Sequence, residues 1–223
     1  MIDINEIFSD SDKRIAIWCE GANDTNDLAI MCENIINNDV HLISVPPTVV
    51  ENAWTYLEKT GVKILTRYKF SPLQKNFEKD MYELAENITS VCKSGANGVQ
   101  IFLSVHNFDR FVDMLQIVRD DLFFGKDLDI VFDIQDLDNG NFKNVFQKLR
   151  DIRANILTLT LNEDMGNRSD FVGRIYGLLQ NWDFDGDLHF ILGNNFDRID
   201  QVIRLIEILQ PEMSEKVRFF LDY

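Results

Sequence analysis

The sequence has little of what marks secreted, disordered or membrane-spanning proteins. It holds three cysteines, Cys19, Cys32 and Cys92, and no Cys-x-x-Cys pair, so reduced thiols and a cytoplasmic location are expected. Four prolines and eleven glycines leave little material for disordered linkers. The sequence also lacks an apolar run of about 18 residues, the length that a transmembrane helix needs. Its acidic N-terminus has no apolar segment of the kind found in signal peptides.

Basic residues are scarce as well. There are 22 Lys and Arg against 37 Asp and Glu, and the formal charge of this acidic protein is -15. Nucleic acid is therefore not an expected partner, because phosphate backbones are bound mainly through Lys and Arg. Basic segments are also what anionic membrane surfaces attract, so no membrane partner is expected. A small-molecule ligand is the partner class that the charge leaves open.

Short strand-like segments alternate with amphipathic helical segments along the chain. The predicted strands are residues 14–20, 40–45, 62–70, 98–106, 128–135, 155–161, 188–192 and 217–221. Strands that alternate with helices pair in parallel through right-handed crossovers. Eight such units predict an α/β fold, the (β/α)8 TIM barrel. A doubly wound open sheet is the alternative, but no Gly-rich phosphate fingerprint follows the first strand.

We expect residues 1–13 to be an N-terminal arm and residues 14–223 to be a single barrel domain. Helices are predicted between the eight strands, and the last helix of a complete barrel is missing. The strand-eight side of the sheet would then be uncovered, and an apolar surface of that size is usually covered by something. The arm is one candidate, and a second copy of the chain in a homo-oligomer is the other.

In barrels of this kind the ligand lies at the C-terminal ends of the strands and in the loops that follow them. Because strand side chains alternate between two faces, residues of one parity point inward. On the fourth strand, residues 98–106, that face carries Gln100, Ser104 and His106. The ligand-binding residues predicted in this way are Glu20, Arg67, Gln100, Ser104, Gln135, Thr158, Thr160 and Asn194.

No metal and no cofactor are predicted. Zinc needs several converging His or Cys ligands, and of the three histidines only His106 is placed at the mouth. Mg²⁺ held by Glu20, Asp133 and Asp136 remains an unspecific alternative. Ser104, His106 and Asp133 are the residue types of a catalytic triad, but residues two apart on one strand do not in themselves have triad geometry.

A phosphate site of the usual barrel type is also not expected within one chain. Such sites use the loops after strands seven and eight together with a helix N-terminus. Residues 193–195, Gly-Asn-Asn, could form half of that site. The other half would follow strand eight, where the sequence ends.

Several segments between residues 24 and 105 match the pattern of one family in order. Asp24-Thr25 precedes the first helix, the second strand ends at Pro47, and Lys69-Phe70-Ser71-Pro72 is similar to an Asn-Phe-Pro turn. Residues 94–102 are similar to a strand of sequence Gly-Ala-Asp-Glu-Val-Asp-Val-Val-Phe. In these segments the chain resembles the deoxyribose-phosphate aldolase family of class I aldolase TIM barrels. The resemblance implies the barrel fold and an aldolase-like ancestry.

The same resemblance implies that the family's working residues are replaced. Gln100 stands at the position of a strand-four aspartate in the family's proton relay, and glutamine does not exchange a proton near neutral pH. Thr158 stands at the position of the Schiff-base lysine on strand six. The second lysine, on strand seven, has no counterpart, and the Gly-Ser-Ser phosphate loop after strand eight is absent.

Two functions remain open. The first is a divergent aldolase-family protein that binds a small polar metabolite at the barrel mouth. If it is a carbon–carbon lyase, Lys69 is the relocated nucleophile, since it is the one lysine predicted at the mouth, with His106 and Asp133 as the other catalytic residues. The alternative is a non-catalytic, aldolase-like pseudoenzyme that acts as a binding or assembly subunit.

Overall fold

The structure, a computed structural model, describes residues 14–20, 25–70, 77–122, 125–138, 140–161 and 168–223. The predicted arm, residues 1–13, lies outside the described residues. Eight strands form a closed barrel in chain order, and every neighbouring pair is parallel. The strands are β1 (Ile15–Trp18), β2 (Leu42–Val45), β3 (Lys63–Lys69), β4 (Gly98–Phe102), β5 (Asp127–Asp133), β6 (Ile156–Thr160), β7 (Asp187–Ile191) and β8 (Val217–Asp222). The predicted TIM barrel is therefore confirmed.

An α-helix follows each of the first seven strands. These helices are α1 (Thr25–Asn37), α2 (Val50–Leu57), α3 (Phe77–Lys93), α4 (Val105–Leu122), α5 (Phe142–Asp151), α6 (Arg168–Gln180) and α7 (Phe196–Leu209). Short 3-10 helices lie at Pro47–Val49, Ile134–Asp136 and Pro211–Lys216. In the described part of the chain, no helix follows β8. None of the described helices has the length and apolarity needed to cross a membrane.

The outward faces of the strands form the main core with the helices. Val99 and Ile101 on β4 are fully buried in the same cluster as Phe108 and Phe111 on α4. A separate apolar cluster, built around Ala16, Trp18, Leu65 and Phe220, fills part of the barrel interior. The side chains of β4 thus alternate as predicted: the apolar residues Val99 and Ile101 face the helices, and Gln100 faces the barrel interior.

Two segments depart from the sequence prediction at the mouth. β4 ends at Phe102, and α4 begins at Val105, so both boundaries lie inside the predicted strand of residues 98–106. The backbone turns at Ser104, whose carbonyl accepts from the Asn107 amide at 3.0 Å. His106 therefore lies in the first turn of a helix and is exposed. β5 likewise ends at Asp133, so Gln135 lies in a 3-10 helix instead of on a strand.

The similar sequences at residues 107–110 and 195–198 have different structures. Asn195 is the N-cap of α7, and its side chain accepts from the Arg198 amide at 3.2 Å. Asn107 lies inside α4, and its side-chain amide donates to the Ser104 hydroxyl at 3.1 Å. The two junctions are therefore not copies of one structural unit.

The strand registers determine which inward side chains lie at the same height in the barrel. Residues from alternate strands share a layer, as in other closed barrels of eight parallel strands. The lower layer contains Ala16, Leu65, Asp129 and His189. The middle layer contains Ser44, Gln100, Thr158 and Phe220. The upper layer contains Trp18, Arg67, Val131 and Ile191.

Gly98, the first residue of β4, is required by close packing below these layers. A Cβ atom at this position would lie 2.7 Å from the Asp127 Cβ and 2.9 Å from a Leu65 methyl group. We expect Gly98→Ala to lower the free energy of unfolding by about 1–3 kcal/mol, since a packed core must move to admit the methyl group. Urea unfolding followed by circular dichroism measures the change.

Gly173 on α6 provides the matched control, because a Cβ there meets nothing within 4 Å. Gly173→Ala should raise the free energy of unfolding by roughly 0.5–1 kcal/mol, as alanine is the better helix former. Equal effects of the two substitutions would show that the β4–β5 contact does not restrict residue 98.

Candidate functional site

The middle of the barrel holds a buried hydrogen-bond network that links four strands. The Gln100 side-chain amide donates to Asp129 Oδ2 at 2.8 Å, and the Thr158 hydroxyl donates to the same oxygen at 2.7 Å. The Ser44 hydroxyl donates to Gln100 Oε1 at 2.5 Å. All four side chains have no exposed surface. The network therefore occupies the interior height at which the resemblance placed the Schiff-base lysine and the proton-relay acid.

Burial changes the titration of the two ionisable groups in the lower layer. Desolvation raises the pKa of Asp129 to about 7. The hydrogen bonds from Gln100 and Thr158 lower the pKa and so offset only part of the effect of desolvation. Desolvation, together with the positive charges of Arg218 and Lys63, lowers the pKa of His189 to about 3. Asp129 is thus partly protonated near neutral pH, while His189 is a neutral imidazole.

The upper layer separates this network from the mouth. Trp18 packs edge-on against Phe102 and Phe220, with ring centroids 5.9 and 6.0 Å apart. The Arg67 guanidinium lies over the Trp18 ring, 4.0 Å from its centroid, and donates to the Cys19 carbonyl. Arg67 is therefore part of the ceiling, where its charge is already engaged by an aromatic face and a carbonyl oxygen.

A broad cavity of about 990 Å³ lies above this ceiling, where β7, β8 and β1 end. Its lining includes Glu20, Thr160, Asn194 and Asp222. Asn194 and Asp222 hold the two loops together, since the Asp222 amide donates to Asn194 Oδ1 at 3.1 Å. Desolvation and the nearby Glu20 raise the pKa of Asp222, so the two carboxyl groups act on each other across the cavity floor.

A smaller cavity of about 310 Å³ lies across the mouth, where β3, β4 and β5 end. Lys69, Ser104, Asp133 and Thr160 line it. The Asp133 carboxylate is fixed locally, because it accepts from the Gln135 amide at 2.8 Å. Asp136 lines it as well, so the structure brings one lysine, two carboxylates and two hydroxyl groups together around a pocket the size of a small metabolite.

The predicted site residues divide into three groups. Those that line the two mouth cavities are Glu20, Lys69, Ser104, Asp133, Thr160 and Asn194. Those that lie below the mouth are Arg67, Gln100 and Thr158. Those that line neither cavity are His106 and Gln135, which are exposed on α4 and on the 3-10 helix.

Sequence reasoning missed three residues of the interior: Ser44, Asp129 and His189. Asp129 has the same parity as Asp133 on the predicted strand, so alternation alone could have placed it inside the barrel. His189 lies near the start of its predicted strand, away from the mouth, yet it is only 2% exposed inside the barrel. Ser44 gives no signal of its own, because its role comes from Gln100 on a strand 56 residues away.

The described residues contain no group of three or more His, Cys, Asp or Glu side chains placed to hold a metal ion. Glu20 and Asp133 line different cavities. The alternative of a magnesium site shared by Glu20, Asp133 and Asp136 therefore has no geometric support among these residues.

The fold is that of the deoxyribose-phosphate aldolase-like TIM barrels. A protein from Coccidioides immitis described as a candidate deoxyribose-phosphate aldolase is 13% identical, with a TM-score of 0.67, over 94% of this chain and 81% of that chain. The tetrameric deoxyribose-phosphate aldolase of Aeropyrum pernix is 13% identical, with a TM-score of 0.66, over 96% of this chain and 87% of that chain.

A 2,3-dimethylmalate lyase is also similar, at 11% identity and a TM-score of 0.55, over 97% of this chain and 78% of that chain. No protein-family model and no curated protein matches the sequence. At these identities the comparisons show a fold shared with aldolases and lyases, and the chemistry must be argued from the residues of this chain.

The raised pKa of Asp129 leads to a prediction about how stability depends on pH. The unfolded carboxyl releases its proton near pH 4 and the folded one near pH 7, so this group costs stability progressively as pH rises through that window. In Asp129→Asn the amide oxygen can accept both hydrogen bonds without titrating. Relative to wild type, the variant should therefore gain roughly 4 kcal/mol of unfolding free energy between pH 4 and pH 8.

Urea unfolding of both proteins at several pH values measures this difference, and the subtraction removes the opposite trend that neutral, buried His189 contributes below pH 6.5. Asp113→Asn, an exposed carboxylate on α4, is the control. A constant difference across the pH range would mean that Asp129 is ionised in the folded protein.

Proposed function

We propose that this protein binds a small polar metabolite at the mouth of the barrel without the Schiff-base chemistry of aldolases. The observation that carries the proposal is the sealed interior. Gln100 and Thr158 have no exposed surface and bond to Asp129, and the layer containing Trp18 and Arg67 covers them. A ligand in the mouth therefore meets the ceiling and the loop residues instead of the network.

The charge of the larger mouth cavity favours a ligand that has no phosphate group. Its lining carries three carboxylates, Glu20, Asp197 and Asp222, against the guanidinium of Arg198. A phosphate would have to approach Glu20 and Asp222, and the pKa of Asp222 is raised first by desolvation and then by Glu20, against the effect of Arg67. Hydroxyl groups, in contrast, can bond to these carboxylates and to Asn194 and Thr160. Neutral or cationic polyhydroxy compounds are the ligand class we propose.

Paired ligands test this charge argument. Neutral sugars and polyols should bind the wild-type protein at least tenfold more tightly than their phosphate esters in isothermal titration calorimetry. The double variant Glu20→Gln/Asp222→Asn should lose most of that preference, because it removes both carboxylates from the cavity floor. Equal or tighter binding of the phosphate esters by wild type would contradict the proposal.

A double variant of the same charge provides the control. Glu58 follows α2 and Asp183 follows α6, and both are exposed outside the mouth cavities. Glu58→Gln/Asp183→Asn should keep the wild-type preference. A similar loss in this control would indicate that net charge, and not the cavity, causes the discrimination.

A carbon–carbon lyase is the second candidate, and the position of Lys69 is the observation in its favour. Lys69 lines the smaller cavity together with Asp133 and Thr160, so an amine and a carboxylate face the same space. A lysine there could form an imine with a carbonyl substrate, and Asp133 would be the nearby group for proton transfer. His106 is outside this cavity and has no part in that arrangement.

Borohydride reduction in the presence of small aldehydes and ketones decides between the two candidates. Under our proposal, peptide mass spectrometry should find no adduct at Lys69 above the level at Lys59, an exposed lysine outside both mouth cavities. A stoichiometric adduct that is lost in Lys69→Ala and retained in Lys59→Ala would establish the lyase instead.

A further inference from the structure

A third cavity, of about 580 Å³, opens at the opposite end of the barrel, where the strands begin. Its lining carries charged side chains from four strands, Lys63, Asp127, Asp187 and Arg218, and the exposed carboxylate of Asp185, which precedes β7. The four strand residues lie below the lower layer in the strand register, so they surround the entrance to the interior from that side. The end of the barrel that usually serves stability therefore has an open, charged pocket here.

His189 lies at the inner end of this pocket. It lines the cavity, is only 2% exposed, and belongs to the lower layer of the interior. Its Nδ1 atom has no hydrogen-bond partner among the described residues. Nδ1 itself has almost no accessible surface, and Asp129 Oδ1 in the same layer is also unbonded, so what a ligand in the cavity meets at its inner end is the edge of a neutral imidazole.

The charges around His189 include one cation and one anion that are not paired with each other. Lys63 is bonded to Asp127 at 2.8 Å, which neutralises both. Arg218 donates to two carbonyl oxygens, those of Glu215 at 2.7 Å and Val217 at 2.8 Å, and neither carries a formal charge. Among the described residues the Asp187 carboxylate has no ion-pair or hydrogen-bond partner. Desolvation raises its pKa, and the nearby Arg218, Lys216 and Lys63 oppose that rise.

This arrangement selects a class of ligand. A metal ion is not favoured, since the described residues include no cluster of ligands for one. A simple anion would satisfy Arg218 and leave Asp187 facing a like charge, and a simple cation would do the reverse. A small zwitterion satisfies both, because its two charges are separated by a few bonds, and it can also contact the imidazole.

We propose that the cavity formed by Lys63, Asp187, His189 and Arg218 at the N-terminal end of the barrel is a binding site for a free α-amino acid. The carboxylate of the ligand pairs with Arg218, its ammonium group pairs with Asp187, and the bound ligand contacts the His189 imidazole at the inner end of the cavity. The site is independent of the ligand proposed for the mouth, because three layers of interior side chains separate the two ends.

Imidazole ¹⁵N NMR tests the proposal directly, since the chain has only three histidines. His189 and His41 line the proposed site, and His106 lies at the other end of the barrel. The probes are the twenty protein amino acids added one at a time, with acetate and methylammonium as the two half-ligands. At least one amino acid should shift the His189 signal saturably without moving His106, and should bind at least tenfold more tightly than either half-ligand.

Two substitutions locate the charges. Arg218→Gln and Asp187→Asn should each weaken binding of that amino acid at least tenfold. Arg204→Gln and Asp200→Asn, which remove an exposed ion pair on α7, should leave it unchanged. Circular dichroism verifies that each variant is folded, and the wild-type titration does not depend on any variant.

Three results would overturn the proposal: no amino acid shifts His189, acetate or methylammonium binds as tightly as any amino acid, or folded Arg218→Gln and Asp187→Asn both bind like wild type. A shift of His106 alone would place the ligand at the mouth, which would also overturn it. Such a result would leave the proposed mouth function to be judged on its own test.

Discussion

The interior of this barrel is organised around one buried carboxyl group. Asp129 is the only fully buried acid among the described residues, and Gln100 and Thr158 both donate to the same one of its oxygens. Burying a carboxylate away from water costs free energy. The two hydrogen bonds offset part of this cost, and the remainder appears as the raised pKa of Asp129. Ser44 extends the network to a fourth strand by donating to Gln100. The network therefore joins β2, β4, β5 and β6 through side chains, in addition to the backbone hydrogen bonds between neighbouring strands.

The network gives Gln100 and Thr158 a structural role. In a site open to substrate, an amide and a hydroxyl group at these positions would face solvent. Here Asp129 accepts a hydrogen bond from each side chain, and the ceiling around Trp18 and Arg67 separates both from the mouth. The interior has the chemistry of a packed polar core.

The fold was predictable because its signal is local and repeated. Strand-helix alternation gives eight strands whose positions differ from the structure by only a few residues, and the parity on β4 correctly places Val99 and Ile101 outside. The site was less predictable because it depends on where strands end. One turn at Ser104 moves His106 from a strand face to a helix, and a 3-10 helix after Asp133 removes Gln135 from the mouth.

The layers could not be read from the sequence for a different reason. Alternation states only that a residue points inward, whereas its height depends on the stagger between strands, which no single segment specifies. Lys69 and Arg67 share a parity on β3, yet Lys69 lines a mouth cavity and Arg67 lies in the ceiling below it. Without the registers, Arg67, Gln100 and Thr158 look like residues of the mouth.

The sealed middle of the barrel also makes its two ends chemically independent. At the mouth, Glu20, Asp197 and Asp222 give a predominantly acidic floor and rim. At the opposite end, Arg218 and Asp187 present one charge of each sign beside a neutral imidazole, and the exposed Asp185 also lines the cavity. A ligand at one end has no open path to the other, since the Trp18 ceiling and the Asp129 network lie between them. Selection on one end can therefore change its charges without disturbing the other, provided that the buried network remains bonded.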